Sequence, residues 1–324
     1  MNNVTLQINV TADDLKHCKY LLYHQLDLFC TQVNEVLLTY DSQPRKILNE
    51  DIFAKNTSDF RAFIDELVPK YNNVRVHEID YSQDTIDKIT ETFYKRTIPT
   101  HDYRGAPIYG YLFGIYEARN DYVIHLDSDM FFGGMSKTWI KEAVELLESD
   151  DQILSVSPLP GPPHPEKKLV KQIPYFNYKN KEYYFGFHSL STRIFLCNRK
   201  NLFGQLRFHR PKLRDWAFSI YEKLPGVETL EITIEKYMQR ANLIRIDFKG
   251  EDPGLWSIHP SYRSDEFYTK IPEMIDRVVK NDVPESQLGY YDFSMDFIDW
   301  SDALARYADR RMRNKILRKL GLKK

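Results

Sequence analysis

From Val4 to Val10 apolar and polar residues alternate, the period-two pattern of a half-buried strand. Thr11-Ala-Asp-Asp14 follows as a capping box, and Leu15, Cys18, Leu22, Leu26 and Phe29 then recur at helical spacing. Val36 to Tyr40 reads as a buried strand ending in Asp41-Ser42, and Phe60, Phe63, Ile64 and Leu67 form a second helical face. Val74 to Ile79 predicts a third strand, ending in Asp80. Residues 106–119 read as a helix opened by Ala106-Pro107, because proline suits the first helical position. Tyr122 to Leu126 is a fourth strand, again ending in acid, and a helix over 137–148 with Ser136 as its cap leads to a strand from Ile153 to Val156.

The second half is less regular. Five prolines between 158 and 165 predict a loop, and an aromatic run follows from Tyr175 to Phe187. Ser191 to Cys197 and Leu243 to Phe248 read as strands, residues 211–224 and 231–241 as helices. Strands alternating with helices predict an α/β fold with a parallel, doubly wound sheet. Ligands bind such sheets beyond the carboxyl ends of the strands, where Asp41, Asp80, Asp127 and Asp129 all fall.

Composition narrows this only a little. Hydrophobic residues make up 42% and charged residues 28% of the 324, as in a cored globular protein. No apolar run reaches transmembrane length and no secretory signal is visible. The three cysteines lack metal or redox spacing, which suits a reducing, cytoplasmic setting. Net charge is −1, but residues 303–324 hold nine Lys/Arg against Asp309 alone, so an acidic body carries a basic tail. A nucleic-acid partner would need a basic body and is not expected. In the tail, Leu304, Tyr307, Met312, Ile316, Leu317 and Leu320 interleave with the cations, as in a helix lying on an anionic membrane. A peripheral position on a cytoplasmic membrane face is therefore expected.

The chemistry centres on Asp127-Ser-Asp129. With 27 aspartates in the chain, about two such spacings arise by chance, so the setting matters more than the tripeptide. A buried strand delivers it to the ligand edge, and Phe131-Phe132 and Gly133-Gly134 are expected to turn the chain directly afterwards. Side chains at i and i+2 of a strand share a face, so both carboxylates can approach one site. Their hard oxygens suit Mg²⁺ or Mn²⁺, with a diphosphate completing the shell. No phosphate loop, GxGxxG, HExxH or GxSxG competes.

Arg104-Gly-Ala-Pro, a helix ending Tyr116-Glu-Ala-Arg-Asn120, and Asp121-Tyr-Val-Ile-His-Leu-Asp-Ser-Asp129 together resemble the GT-A glycosyltransferases, specifically inverting family 2. Phe187 to Leu202 is similar to that family's strand leading into an arginine-containing turn, and Leu230 to Ile246 to its catalytic helix. The resemblance spans residues 4 to about 260. It implies a Rossmann-like, mostly parallel sheet with helices on both faces and a C-terminal helical extension. The donor half would be 1–135, the acceptor and catalytic half 136–262, and the extension 263–324.

The resemblance also implies roles. Asn9, Thr11, Asp41 and Asp80 would surround the nucleoside of a nucleotide-sugar donor, in the first instance a UDP-sugar. Arg104 would approach the phosphates. Asp127 would contact ribose or metal-bound water, and Asp129 the metal, Mn²⁺ or Mg²⁺. His259 would join the metal from the opposite side. Glu231 aligns with the family's catalytic aspartate and would accept the proton of an acceptor hydroxyl; the family has Glu-Asp where this chain has Leu230-Glu231, so Glu228 is held in reserve and Glu235 is a further possibility. The acceptor would be a glycan or a lipid-linked sugar of surface polysaccharide synthesis, met by the proline-rich loop and the aromatic run, which could equally be core. A retaining transferase, a sugar nucleotidyltransferase and a non-catalytic polysaccharide-binding module are the alternatives. The nucleotidyltransferase would need a Gly-rich basic loop after the first strand, where Asn9-Val-Thr-Ala-Asp-Asp stands instead.

Overall fold

Alternation in the first strand sorts two very different faces. Val4, Leu6, Ile8 and Val10 point into a large apolar core, while Thr5 and Gln7, equally buried, point the other way. The computed structural model describes residues 3–43 and 50–310. In chain order the strands and helices are β1 (Val4–Thr11), α1 (Leu15–Phe29), β2 (Glu35–Asp41), α2 (Glu50–Leu67), β3 (Val74–Glu78), α3 (Gln83–Tyr94), α4 (Tyr109–Glu117), β4 (Tyr122–Asp127), β5 (Phe131–Gly133) and α5 (Trp139–Glu148). They continue as β6 (Ile153–Pro160), β7 (Phe176–Asn177), β8 (Tyr184–Phe187), β9 (Ile194–Asn198), α6 (Leu213–Tyr221), α7 (Leu230–Ala241), β10 (Ile244–Phe248), β11 (Trp256–Ile258), α8 (Asp265–Val279) and α9 (Ser301–Arg310).

The main sheet runs β3-β2-β1-β4-β9-β6-β10-β8-β7. β3, β2, β1 and β4 are parallel neighbours, β9 runs against both β4 and β6, and β10 is again parallel to β6. This is the α/β, mostly parallel sheet expected. Its two faces are covered by separate apolar clusters, and β9 shows the division: Ile194 and Leu196 belong to the cluster with α1, α2 and α5, Phe195 and Cys197 to the cluster with α3, α4 and α7. A third cluster joins Phe131, Trp256 and Ile258 to α8 and to Phe293, Phe297 and Trp300. Residues 263–300 thus share a core with the strands beside the site.

Several sequence expectations shift. The capping box at Thr11 does not form; residues 12–14 make a short 3-10 turn with no side-chain cap, and α1 starts at Leu15. α4 starts at Tyr109 rather than at Ala106, since residues 102–106 close a turn around the Asp102 carboxylate, which accepts from the amides of Arg104 and Ala106. α5 starts at Trp139, and the Ser136 hydroxyl meets the amide and hydroxyl of Thr138 rather than capping the helix. β9 starts at Ile194 and α6 covers only 213–221. Phe131–Gly133 is a strand paired with β11, and the turn comes afterwards.

The proline segment also departs from a simple loop, because β6 continues to Pro160. The amides of Leu159 and Gly161 donate to the carbonyls of Leu255 and Ser257, so the ring nitrogens of Pro158 and Pro160 fall at the alternate positions. There the neighbour β9 pairs only as far as Val156, and no ladder donor is lost. Most of the aromatic run is core: Phe185 and Phe187 are fully buried, and Tyr175 packs edge-on against Phe185.

Gly133 sits where β5 meets β11, and a Cβ there would overlap the buried Trp256 ring. Gly133→Ala is expected to destabilise the protein by about 1–3 kcal/mol, the usual cost of overpacking, with a lowered thermal midpoint as the readout.

Candidate functional site

The parallel register brings the sequence candidates to one edge. Asn9 lies opposite Asp127, Thr11 opposite Asp41, and Asn9 also opposite Thr39, at the carboxyl ends of β1, β2 and β4. Beneath this edge, the face of β1 turned toward α4 carries a buried polar chain. Gln7 donates to Asn9 and Thr39, and its carbonyl meets Nδ1 of His125. His125 Nε2 stands 3.5 Å from Asp127 Oδ1, which also accepts from the Tyr111 hydroxyl at 3.0 Å. Burial, then the Asp127 charge, pushes the Tyr111 hydroxyl well above its ordinary value, so it stays a donor. Gly114 of α4 is the reason the layer fits, since a Cβ there would strike Gln7.

Asp127 ends β4, whereas Asp129 lies in the turn beyond it, so the two are not strand neighbours on a common face. Each has its own partners. Asp129 is 2% exposed, and its Oδ2 accepts from Arg263 Nη2 at 2.7 Å and Nε at 3.0 Å. Arg263 also holds Asp14 Oδ1 at 3.0 Å, the acid that the unformed capping box leaves available. His259 Nε2 is 3.8 Å from Asp129 Oδ2, and its Nδ1 is 3.7 Å from Asp292. Strand pairing explains this meeting: Ile258 sits opposite Phe131, so one step further the register brings His259 alongside the Asp129 turn. Ser128 faces His17 at 3.0 Å. Burial works against the Asp129 charge, but Arg263, then His259 and His17, hold its carboxyl well below the usual range.

Glu231 lies in the first turn of α7, after Thr229, whose hydroxyl caps the helix by accepting from Ile232. Burial raises the Glu231 carboxyl above its ordinary value, while the Thr192 backbone, Arg193, Arg104 and Arg245 pull the other way. Glu231 also acts on Tyr111, as Asp127 and Asp129 do, so the expected base stands within the field of the aspartate site. Glu228 is buried, and one of its carboxylate oxygens accepts from the Thr229 amide at 3.0 Å. Glu235 is bonded to Gln239 one turn further along α7.

Other candidates are occupied differently. The Asp80 carboxylate accepts from the Thr85 hydroxyl and from the Ser82 amide and hydroxyl, which lowers its pKa, so it braces the turn into α3. Asp41 accepts from the Gln43 amide and lies against the Tyr81 hydroxyl. The Arg104 guanidinium is paired with Asp102 at 3.2 Å, half-exposed. Sequence reasoning missed Arg263, Asp14, Tyr111, His125, Arg193 and Asp292. Arg193 lies 3.5 Å from Asp292 and over the ring of Tyr291. The signal for Arg263 was its place in His259-Pro-Ser-Tyr-Arg263, four residues after the candidate ligand.

Among the described residues no three His, Cys, Asp or Glu side chains are gathered as a ready-made metal cage. Mg²⁺ and Mn²⁺ at nucleotide sites need none, because one or two carboxylates, water and the substrate phosphates suffice. The donor set fits that pattern. Asp129 Oδ1 is buried without a hydrogen-bond partner among the described residues.

No protein-family profile matches the sequence, and no curated protein does. Solved structures do show similarity. The mannosyltransferase PcManGT from Pyrobaculum calidifontis, solved with GDP-Man and Mn²⁺, is 11% identical over 98% of this chain and 79% of its own, with a TM-score of 0.41. S. aureus TarS 1–349 with UDP-GlcNAc is 12% identical over 88% and 68%, with a TM-score of 0.35. The galactosyltransferase LgtC, with donor and acceptor sugar analogues, is 11% identical over 74% and 70%, with a TM-score of 0.33. At these scores a functional reading rests on the site's own geometry.

Proposed function

We propose that the protein is a nucleotide-sugar-dependent glycosyltransferase of the GT-A type, transferring a sugar with inversion to a glycan or lipid-linked hydroxyl. The observation that carries this is Asp127 at the carboxyl end of β4, Asp129 in the turn just beyond it with His259 3.8 Å away, and a desolvated Glu231 in the first turn of α7. Asp127, Asp129 and His259 would hold Mn²⁺ or Mg²⁺, which would supply charge to neutralise the diphosphate. Glu231 takes the proton from the acceptor hydroxyl as that oxygen bonds to the anomeric carbon. The bond from that carbon to the phosphate oxygen breaks, and its electron pair leaves with the nucleoside diphosphate. Arg193 and Arg104, whose charges act on Glu231, would favour the negative leaving group. Asn9, Thr11 and Asp41 border the nucleoside side, with a UDP-sugar as the first candidate donor. The segments 1–135, 136–262 and 263–324 serve as donor half, acceptor half and extension, although residues 263–300 also complete the core beside the site.

Surface polysaccharide synthesis at the cytoplasmic face of a membrane is the setting that this reading favours. No helix among the described residues is long and apolar enough to cross a membrane. The basic tail named as a membrane anchor, residues 303–324, lies outside the described residues beyond Arg310.

The direct test is a panel of nucleoside diphosphate sugars, titrated with Mn²⁺ present and after EDTA treatment. Binding of one donor class, at least about tenfold weaker without the cation, together with slow release of free sugar, is the expected result. A protein that binds polysaccharide but no nucleotide in either condition would refute the transferase reading.

A further inference from the structure

α6 presents an unusual surface. Leu213, Trp216, Ile220 and Tyr221 are 78%, 37%, 58% and 66% exposed, and their spacing of three, four and one places them along a single outward stripe. Four large apolar side chains facing water on one nine-residue helix are more than scattered surface exposure. The segment leading into the helix is strongly basic: Arg207, Arg210, Lys212 and Arg214 are all exposed, with only Asp215 as a nearby acid in sequence. Among the described residues none of these four cations is held in an ion pair. Of the four, Arg207 acts on His209, whose pKa is lowered by burial first and then by Lys236, Arg240 and Arg207.

α6 also has a fixed relation to the site. Leu224, three residues after it, packs against Gly105 beside Arg104, and the Tyr103 amide donates to the Val227 carbonyl. The Glu228 amide donates to the His209 carbonyl, closing the segment into a loop that leads directly to Glu231.

We infer that α6 and its basic approach form a docking surface for an anionic lipid bilayer. Tryptophan and tyrosine favour the headgroup boundary, where an apolar body and a polar tip are both satisfied. A short apolar stripe flanked by arginine and lysine lies in that boundary rather than crossing it. The attraction of each cation to an anionic leaflet falls off within a Debye length, so four give reversible, salt-sensitive binding. The charge complementarity selects the lipid surface over a neutral apolar partner. Docked this way, the segment from His209 to Glu228, which holds the Tyr103 turn and leads into α7, lies beside the leaflet. The inference stands without the transferase reading, since it concerns only where the protein sits.

The chain carries its own reporter. Of four tryptophans, Trp139, Trp256 and Trp300 are buried and Trp216 alone is exposed. The full-length protein is mixed with vesicles of phosphatidylglycerol and phosphatidylcholine bearing brominated acyl chains, and tryptophan quenching is followed. Quenching by anionic vesicles, its absence with pure phosphatidylcholine, its reversal by high salt, and its loss in Trp216→Phe are expected. The double variant Leu213→Glu/Ile220→Glu, confined to exposed positions, is expected to weaken binding at least tenfold with unchanged thermal stability. Sedimentation with vesicles without Trp216 quenching, or equal binding by the double variant, would assign docking to the basic tail and overturn the inference. No vesicle binding would overturn it too, as would quenching-free self-association of the parent that the double variant abolishes, which would make the stripe a contact between copies.

Discussion

Glu231→Gln is expected to lower sugar transfer by about 10² to 10⁴-fold while leaving donor binding intact, because general-base catalysis has that magnitude and the change removes no ligand of the donor. The same variant carries a second signature. Burial raises the Glu231 carboxyl above its ordinary value despite the arginines around it, so the folded protein binds that proton more tightly than the unfolded chain does. Stability contributed by the protonated form is therefore full at low pH and lost as pH rises from the unfolded value, about 4.3, through the folded one. At neutral pH a glutamine, neutral and isosteric, is expected to leave the protein at least as stable as its parent. Wild-type kcat/KM is expected to fall on the acid side at a pH above that of an ordinary glutamate. A residue needed only for packing would lose stability and activity together. An active Glu231→Gln beside an inactive Glu228→Gln would move the base to the reserve position.

How much of this was legible in sequence depends on the range of the interaction. β1 and α1 follow from residues within one element, where alternation and helical spacing are local consequences of burial. α3 was legible too, through Ile86, Ile89 and Phe93 on one stripe, although no element is predicted there. Pro158 and Pro160 mislead, because a proline is excluded from a strand only where its amide is needed, and that depends on where β9 stops. The aromatic run misleads for a related reason: side-chain type does not distinguish a ring lining a groove from a ring filling a core. Asp127 and Asp129 were found by their strand, and Glu231 by resemblance. Arg263 was not, since it acts on residues 134 and 249 positions away and only its place four residues after His259 marks it locally.

That long-range contact makes Asp129→Asn the most informative single change at the metal side. Asparagine keeps the shape and removes the charge, so cation-assisted donor binding is expected to fall at least 100-fold, measured by Mn²⁺ titration with nucleotide present. Stability falls as well. Breaking a buried ion pair costs about 3–5 kcal/mol, but Arg263 is one-third exposed and keeps Asp14, so about 1–3 kcal/mol is the expected loss. Because Arg263 and the histidines hold the Asp129 carboxyl below its ordinary value, this contribution is present above about pH 4 and disappears as pH falls through the folded value. The parent and the asparagine variant are thus expected to converge in strongly acidic buffer. Arg263→Gln separates the two roles of the carboxylate. Arg263 places two donors on Oδ2, the same oxygen that His259 approaches, and a cation must compete with them. Without the guanidinium, Mn²⁺ binding in the absence of nucleotide is expected to tighten, while in Asp129→Asn it is expected to vanish. Mn²⁺ and nucleotide binding unchanged in Asp129→Asn would show that this carboxylate serves Arg263 and Asp14 alone, and the divalent cation would have to be removed from the mechanism.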